Sequence, residues 1–492
     1  MSQIKVEHLT FAYPGSYDNI FEDVGFQIDT DWKLGFIGRN GRGKTTFLNL
    51  LLGKYPYSGS ISASVPFAYF PFPVADKNRR TEEVLHSVSP ETQSWEFIRE
   101  LSLLGVTEDV LDQAFETLSF GEQTKVLLAA LFLGETRFLL IDEPTNHLDA
   151  DGRQRVSRYL QSKQGFILVS HDRAFLDGCV DHVLSINKTD IELQRGNFSS
   201  WLANKERQDN FETAQNEKLK KQIGRLEESA REKAGWADAV EKTKRGTRNS
   251  GLRPDRGYIG HKSAKMMQRS KSIAQRKQDA IEEKSSLLKN IEQADALKVS
   301  QLPYRAQRLI SLDHVSVAYG EKAVCMDVSF AVERGDRIAL CGKNGSGKSS
   351  ILKLICGQDI PHTGEVLRGS GLKLSYVSQD TSFLCGSLSD FAEESGIDES
   401  LFKTILRKLD FERVQFEKDM SDFSGGQKKK VLLAKSLCEE SNLLVWDEPL
   451  NYVDVISRMQ IEALLLACQP TILFVEHDRV FTGKIATKFV SL

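Results

Sequence analysis

Short continuous apolar runs occur in matched pairs along the chain. Residues 34–37 and 338–341 each break into a glycine-rich turn, 138–141 and 443–446 each end in two acids, and a third pair precedes His171 and His477. Runs of this length, bounded by turn residues, predict strands buried on both faces, as in a parallel sheet covered by helices. The fold expected is therefore α/β, built twice. Between the halves the period changes. Leu219, Ile223, Leu226, Ala230 and Ala234 step by three or four, and Met266, Ile273, Ala280 and Leu287 step by seven. The first pattern is a helix face and the second a coiled-coil-like seam. Residues 245–260, crowded with Gly, Pro, Asn and Ser, break both periods, so the segment reads as a helical hairpin with that stretch at its tip.

Five features recur in order: Tyr13 with Tyr319, Gly38 with Gly342, Ser119 with Ser424, Asp142 with Asp447 and His171 with His477, always 304 to 306 positions apart. Such a repeat marks two copies of one domain. The expected boundaries are 1–196 for the first, 309–492 for the second, and 197–308 for a helical-hairpin linker with its tip at about 243–262. Hydrophobic residues make up 40% of the chain and charged residues 27%, which favours neither a membrane nor a disordered class. No apolar run reaches the roughly 18 residues of a spanning helix; the longest, 126–134, is closed by Glu135 and Arg137. The first residues lack the apolar core of a secretory signal. Seven cysteines without C-x-x-C pairing read as reduced core residues, so the expected location is the cytoplasm. The net charge of -3 hides a local excess: between Glu241 and Lys277 twelve Lys and Arg face two acids, a net of +10, which suits a phosphate backbone.

The glycine-rich turns carry chemistry. Gly38-Arg-Asn40-Gly41-Arg-Gly43-Lys44-Thr45 and Gly342-Lys-Asn344-Gly345-Ser-Gly347-Lys348-Ser349 fit G-x-x-x-x-G-K-[ST]. Glycines let backbone amides curl around phosphate oxygens, the lysine reaches the terminal phosphates, and the Thr or Ser hydroxyl ligates magnesium. Thr46 and Ser350 follow on the same helix start. In the acid pairs, Asp142 and Asp447 are candidate magnesium ligands, while Glu143 and Glu448 can polarise an attacking water.

Leu118-Ser119-Phe120-Gly121-Glu122-Gln123 and Phe423-Ser424-Gly425-Gly426-Gln427 resemble the signature motif of ATP-binding-cassette proteins. That resemblance implies an ATPase using ATP and Mg2+, with two cassettes facing head to tail. Site one would join Lys44, Asp142, Glu143 and His171 to Ser424, Gly425 and Gly426. Site two would join Lys348, Asp447, Glu448 and His477 to Ser119 and Gly121. It further implies that Tyr13 and Tyr319 stack on adenine, that His171 and His477 sense the γ-phosphate, and that Gln379 watches the magnesium and the attacking water. Three departures predict unequal sites. Phe72 stands where Gln379 is expected, leaving site one without a polar sensor; Phe120 replaces the first signature glycine; and the turn from Asn146 to Asp149 becomes Asn451-Tyr-Val-Asp454.

Tandem cassettes joined by a long charged hairpin resemble the ABC-F family of ribosome-binding translation proteins over essentially the whole chain. Residues 32–45, 166–175 and 446–451 are similar to its Lsa and Vga antibiotic-resistance type. The resemblance implies binding at the large-subunit exit-site region, contact with rRNA and the peptidyl-site tRNA, and displacement of lincosamides, pleuromutilins and streptogramin A. Such proteins act as monomers away from membranes. Lys244, Arg245, Arg248, Leu252, Arg253, Arg256, Tyr258 and Ile259 would form the working tip. The spacings from Phe72 to Ser119 and from Gln379 to Ser424 leave no room for the inserted arm of housekeeping members, and a C-terminal extension is not expected beyond Leu492. A housekeeping factor for stalled ribosomes is the alternative; a third class, the motor subunit of a drug exporter, would have no use for a basic hairpin.

Overall fold

The computed structural model describes residues 2–15, 19–133, 137–146, 148–187, 190–242, 301–320, 322–411 and 413–492. The expected tip residues, Lys244 through Ile259, and the seam from Met266 to Leu287 lie outside the described residues. The chain divides into two units, one made of Met1–Trp201 with Ala294–Leu492 and the other of Leu202–Gln293.

In the first unit the two cassettes repeat one plan. Cassette one opens with an antiparallel sheet in which β1 (Gln3–Phe11) lies between β2 (Phe21–Asp29) and β4 (Ser58–Ala63). Its main sheet takes in β3 (Lys33–Ile37), β5 (Phe67–Phe70), β6 (Phe138–Asp142), β7 (Phe166–Val169), β8 (His182–Asn187) and β9 (Asp190–Arg195), in the order β5-β6-β7-β3-β8-β9. All neighbours are parallel except β8 and β9. The buried runs Phe138–Ile141 and Phe166–Val169 explain this, since both faces of a parallel sheet are covered. Phe47, on α1 (Lys44–Leu51), closes one face against the rings of Phe21, Phe26 and Phe36. Truncating it to alanine would cost about 4 kcal/mol.

Cassette two repeats the antiparallel sheet with β10 (Arg308–Tyr319) between β11 (Lys322–Glu333) and β13 (His362–Arg368). Its parallel sheet runs β14 (Leu374–Val377), β15 (Leu443–Asp447), β16 (Ile472–Val475), β12 (Arg337–Cys341) and β17 (Lys488–Ser491). Buried Trp446 anchors β15, its indole N–H donating to Ser436 Oγ at 2.9 Å. In both sheets the glycine-rich turn, the P-loop, leaves the carboxyl end of an interior strand, β3 or β12, where ligands of open α/β sheets bind.

At the border of this unit, Phe198 and Trp201 are buried, Asn197 caps the helix that starts at Phe198, and Ser199 N donates to Asp177 at 2.7 Å. That helix spans Phe198–Lys242, as the first stripe predicts. In the second unit its described surface is laced by pairs one turn apart, such as Lys205–Asp209 and Gln208–Glu212.

Candidate functional site

The P-loop geometry follows from glycine. Gly43 and Gly347 sit at φ +93° and +87° as the N-caps of α1 and of the helix Lys348–Ile355, a region open to glycine at no steric cost. A β-carbon at Gly43 would lie 2.5 Å from Ile20. Each lysine folds into its own loop. Lys44 Nζ donates to the carbonyls of Gly38 at 2.7 Å and Arg39 at 3.1 Å; Lys348 Nζ donates to Gly342 at 2.9 Å and Lys343 at 2.8 Å. Burial holds both amines below the ordinary lysine value, and the neighbouring carboxylates counteract it. Tyr13 and Tyr319 stand half-exposed beside these helices, their hydroxyls hydrogen-bonded to Thr46 Oγ1 at 2.8 Å and Ser350 Oγ at 3.1 Å. Exposed rings fixed at one end are available for stacking.

Asp142 and Asp447 end β6 and β15, and the glutamates that follow them adopt left-handed backbone, at φ +51° for Glu143 and +48° for Glu448. Each glutamate meets its histidine: His171 Nε2 is 3.2 Å from Glu143 Oε1, and His477 Nε2 is 3.4 Å from Glu448 Oε1. Beyond that they differ. Glu448 Oε2 accepts from Gln379 Nε2 at 2.8 Å and from Asn451 Nδ2 at 2.5 Å. Burial would raise the Glu448 carboxyl, but His477 and the Gln379 amide hold it below the ordinary glutamate value. Burial, with the charge of Asp142 added, pushes Glu143 up to about 8.

Both signature serines cap helices. Ser119 precedes Phe120–Phe132 and Ser424 precedes Gly425–Cys438, each in a capping box with the residue three positions on, Glu122 or Gln427. Helix N-termini therefore face the sites, which suits an anion. Sequence reading passed over Glu122, although a carboxylate in place of Gln427 is visible in the motif itself. The Ser119 hydroxyl donates to that carboxylate at 2.7 Å.

The cassettes meet head to tail. Ser119, Phe120, Gly121 and Glu122 of cassette one line a cleft of about 630 Å³ whose other wall holds Asn344, Gly345, Gly347, Lys348, Ser349, Ser350, Gln379, Glu448 and His477. Of the residues expected for site two, Lys348, Glu448, His477, Ser119 and Gly121 line this cleft, and Asp447 is not among its lining residues. At site one the contact is direct: Asn40 Nδ2 donates to Tyr452 O at 2.6 Å. Gly426 lies so close that a β-carbon there would be 2.4 Å from Tyr452 O and 2.7 Å from Asn40 Nδ2. Phe72 does stand in place of Gln379, yet site one has another polar group. Tyr69 donates to Asp142 Oδ2 at 3.0 Å, and Thr45 Oγ1 donates to the same oxygen at 3.0 Å. The signal for Tyr69 was its match to Tyr376 three residues before Gln379.

Magnesium fits this chemistry. Neither carboxylate oxygen of buried Asp447 has a well-formed hydrogen bond among the described residues, and the nearby Ser349 hydroxyl only partly offsets the burial that pushes the group up to about 6. An anion so placed calls for a cation, and its oxygen neighbour Ser349 completes a hard donor set. No cluster of three or more His, Cys, Asp or Glu able to hold a metal occurs among the described residues, so any ion here would share its shell with phosphate and water.

A family model described as ABC transporter matches residues 21–146 and 325–451. The ribosome protection protein VmlR of Bacillus subtilis is 28% identical over 96% of this chain and 84% of its own length. The energy-dependent translational throttle protein EttA of Escherichia coli K12 is 25% identical over 95% of this chain and 88% of its own. Among solved structures, the archaeal ribosome recycling factor aABCE1, in complex with the stalk protein aP1, superposes with a TM-score of 0.63 over 98% of this chain and 87% of that one, at 17% identity. At that identity the likeness shows the fold. Among the described residues no helix is long and apolar enough to cross a membrane.

Proposed function

We propose a ribosomal function on this premise: the chain belongs to the ABC transporter family and is an ATPase. In our reading it is an ABC-F protein that binds the ribosome when ATP clamps its cassettes together, and it protects the peptidyl-transferase centre from lincosamides, pleuromutilins and streptogramin A. One observation carries this reading. Between the cassettes the chain inserts a helix of 45 residues followed by the stretch of net charge +10, which fits rRNA phosphates and gives an exporter subunit nothing to do. At 1.5 Å per residue that helix is about 67 Å long, a reach suited to a ribosomal cavity. The names of VmlR and EttA place those relatives in translation.

In this reading the protein works in the cytoplasm as a monomer, at the exit-site region of the large subunit and against the peptidyl-site tRNA. Mg2+ would neutralise the terminal phosphates, held by Thr45 and Asp142 or by Ser349, Asp447 and Gln379. Lys44 and Lys348 fix the phosphates, the capped signature helices close on them from the other cassette, and Glu143 and Glu448 take the proton of the attacking water. His171 and His477 orient those carboxylates.

The decisive experiment measures drug susceptibility of a sensitive host with and without the gene, beside cosedimentation of the Glu143→Gln/Glu448→Gln protein with ribosomes in ATP. Protection together with ATP-stabilised cosedimentation is expected. Absence of cosedimentation overturns the ribosomal reading. Cosedimentation without protection favours the second reading, a housekeeping translation factor, which the likeness to EttA supports. Replacing residues 245–260 by a short Gly-Ser turn should abolish protection while leaving basal ATPase activity nearly unchanged.

A further inference from the structure

We propose that Asp410 is a positioning residue for the nucleotide of site one, acting across the cassette boundary through Arg39 and Arg42 of the P-loop. Asp410 Oδ1 lies 3.5 Å from Arg39 Nη1 and 3.5 Å from Arg42 Nη2, with Arg39 almost wholly buried. The two arginines occupy variable positions of the motif, between Gly38 and Gly43, so they shape the loop that wraps the phosphates without belonging to its invariant set.

The backbone makes the case stronger. Asp410 follows the helix Glu399–Lys408 at φ +66°, the left-handed position at which helices commonly end in glycine. The matching residue of cassette one is a glycine, Gly105, at φ +67°. Cassette two thus tolerates a side chain where glycine fits best, and that side chain faces the other cassette's P-loop. Asp is one of the few side chains that tolerate this region, so the position admits a carboxylate where cassette one has none. The pseudo-symmetric positions lack the pair: Gly105 carries no carboxylate, and Lys343 and Ser346 replace Arg39 and Arg42.

Two further contacts join the cassettes. Asn40 Nδ2 donates to Tyr452 O at 2.6 Å, and Arg173 Nη2 donates to the buried Glu462 Oε2 at 2.6 Å. Ser157 stands in the place of Glu462 in cassette one, and Arg479, in the place of Arg173, meets only the neutral Gln154, at 3.3 Å, among the hydrogen bonds and ion pairs of the described residues. Site one is braced by the chain's own ionic contacts to Asp410. Nucleotide at site one is therefore released slowly.

The test needs nucleotide binding alone, so its outcome is separable from that of the ribosomal reading. In purified full-length protein, Lys348→Ala disables site two and Glu143→Gln stops hydrolysis at site one, and release of radiolabelled ATP with Mg2+ is followed. Adding Asp410→Gly should speed release about tenfold at about 50 mM KCl, as expected for a partly buried pair, and Asp410→Asn should do nearly the same. At about 500 mM KCl screening should close most of the gap. Glycine relieves the left-handed position while Arg39 loses this carboxylate, so the two effects offset and the melting temperature of Asp410→Gly should stay within a few degrees of its parent's, showing that the variant folds. Unchanged release at low salt, an acceleration equal at both salt concentrations, or a parent that retains no nucleotide would each overturn the proposal.

Discussion

At site two, Glu448 accepts from Gln379 and Asn451 and lies 3.4 Å from His477. At site one, Glu143 has His171 at 3.2 Å, and Phe72 stands where the glutamine would be. The polar resources of site one go elsewhere: to Asp142, which two hydroxyls address, and to the cassette boundary, where Arg39 and Arg42 reach across. Duplication gave both halves one set of motifs, and the neighbours of those motifs have since diverged in opposite directions. An oriented, ionised carboxylate favours water activation, and a braced P-loop favours retention of nucleotide. The comparison teaches that a motif names the parts of a site, while their shared partners decide what each part does.

The comparison can be broken by phosphate-release assays on single variants. The largest effect is expected for Glu448→Gln, which removes the oriented base: turnover at neutral pH should fall about 100-fold or more, whereas Glu143→Gln should lower it only a few-fold. Equal losses would show that the hydrogen-bond partners of Glu448 do not matter. Next comes Gln379→Ala, which leaves Glu448 in place but takes away its 2.8 Å amide donor. A loss of about tenfold in kcat with little change in KM is expected, the pattern of a group that acts on orientation. A change confined to KM would place Gln379 in nucleotide binding alone.

A smaller effect, of opposite sign, is expected at the signature helix of cassette one. Glu122 brings a carboxylate to the wall of the site-two cleft that an ATP phosphate would approach. Gln427 closes the same capping box in cassette two, so Glu122→Gln should preserve the helix start while removing a like charge. ATP affinity at site two, measured with site one disabled by Lys44→Ala, should rise about fivefold, and more at low salt than at high. Weaker binding would mean that the carboxylate holds Ser119 in a pose the nucleotide requires.

Much of this is legible in the sequence. Glycine-rich turns after apolar runs, acids at strand ends and serines at helix starts are local patterns whose geometry follows from backbone rules, and both P-loops, both acid pairs and both capped signatures lie where the repeat implied. The contacts that join the cassettes are not legible there, because they link residues far apart in sequence. Asn40 meets Tyr452 across 412 positions, and Arg173 meets Glu462 across 289. Phe72 in place of a glutamine is the loss of a polar group at that position. The register of β5 against β6, which pairs Tyr69 with Leu140, turns the Tyr69 side chain to the face that carries Asp142 two residues further on. A phenol thereby reaches the carboxylate, and no single-position comparison could have shown it.

That phenol gives the smallest and most specific prediction. Tyr69 and Thr45 both donate to Asp142 Oδ2 at 3.0 Å, while in cassette two the buried hydroxyl of Tyr376 has no well-formed hydrogen bond among the described residues, and neither do the oxygens of Asp447. A carboxylate pinned by two hydroxyls keeps one orientation, and the groups behind a metal-holding carboxylate tune how well it holds the ion. Tyr69→Phe removes one donor while keeping the ring, so packing and melting temperature should hardly move. With site two disabled by Lys348→Ala, the Mg2+ concentration that half-saturates ATP binding at site one should rise about threefold or more, the low side of what such a partner is worth. Tyr376→Phe, tested at site two with Lys44→Ala, should move it less, because that hydroxyl does not reach its aspartate. If the two substitutions shift the magnesium dependence equally, the tyrosines act alike and the asymmetry lies wholly in the glutamates; if only Tyr69→Phe shifts it, site one is tuned through its aspartate and site two through its glutamate.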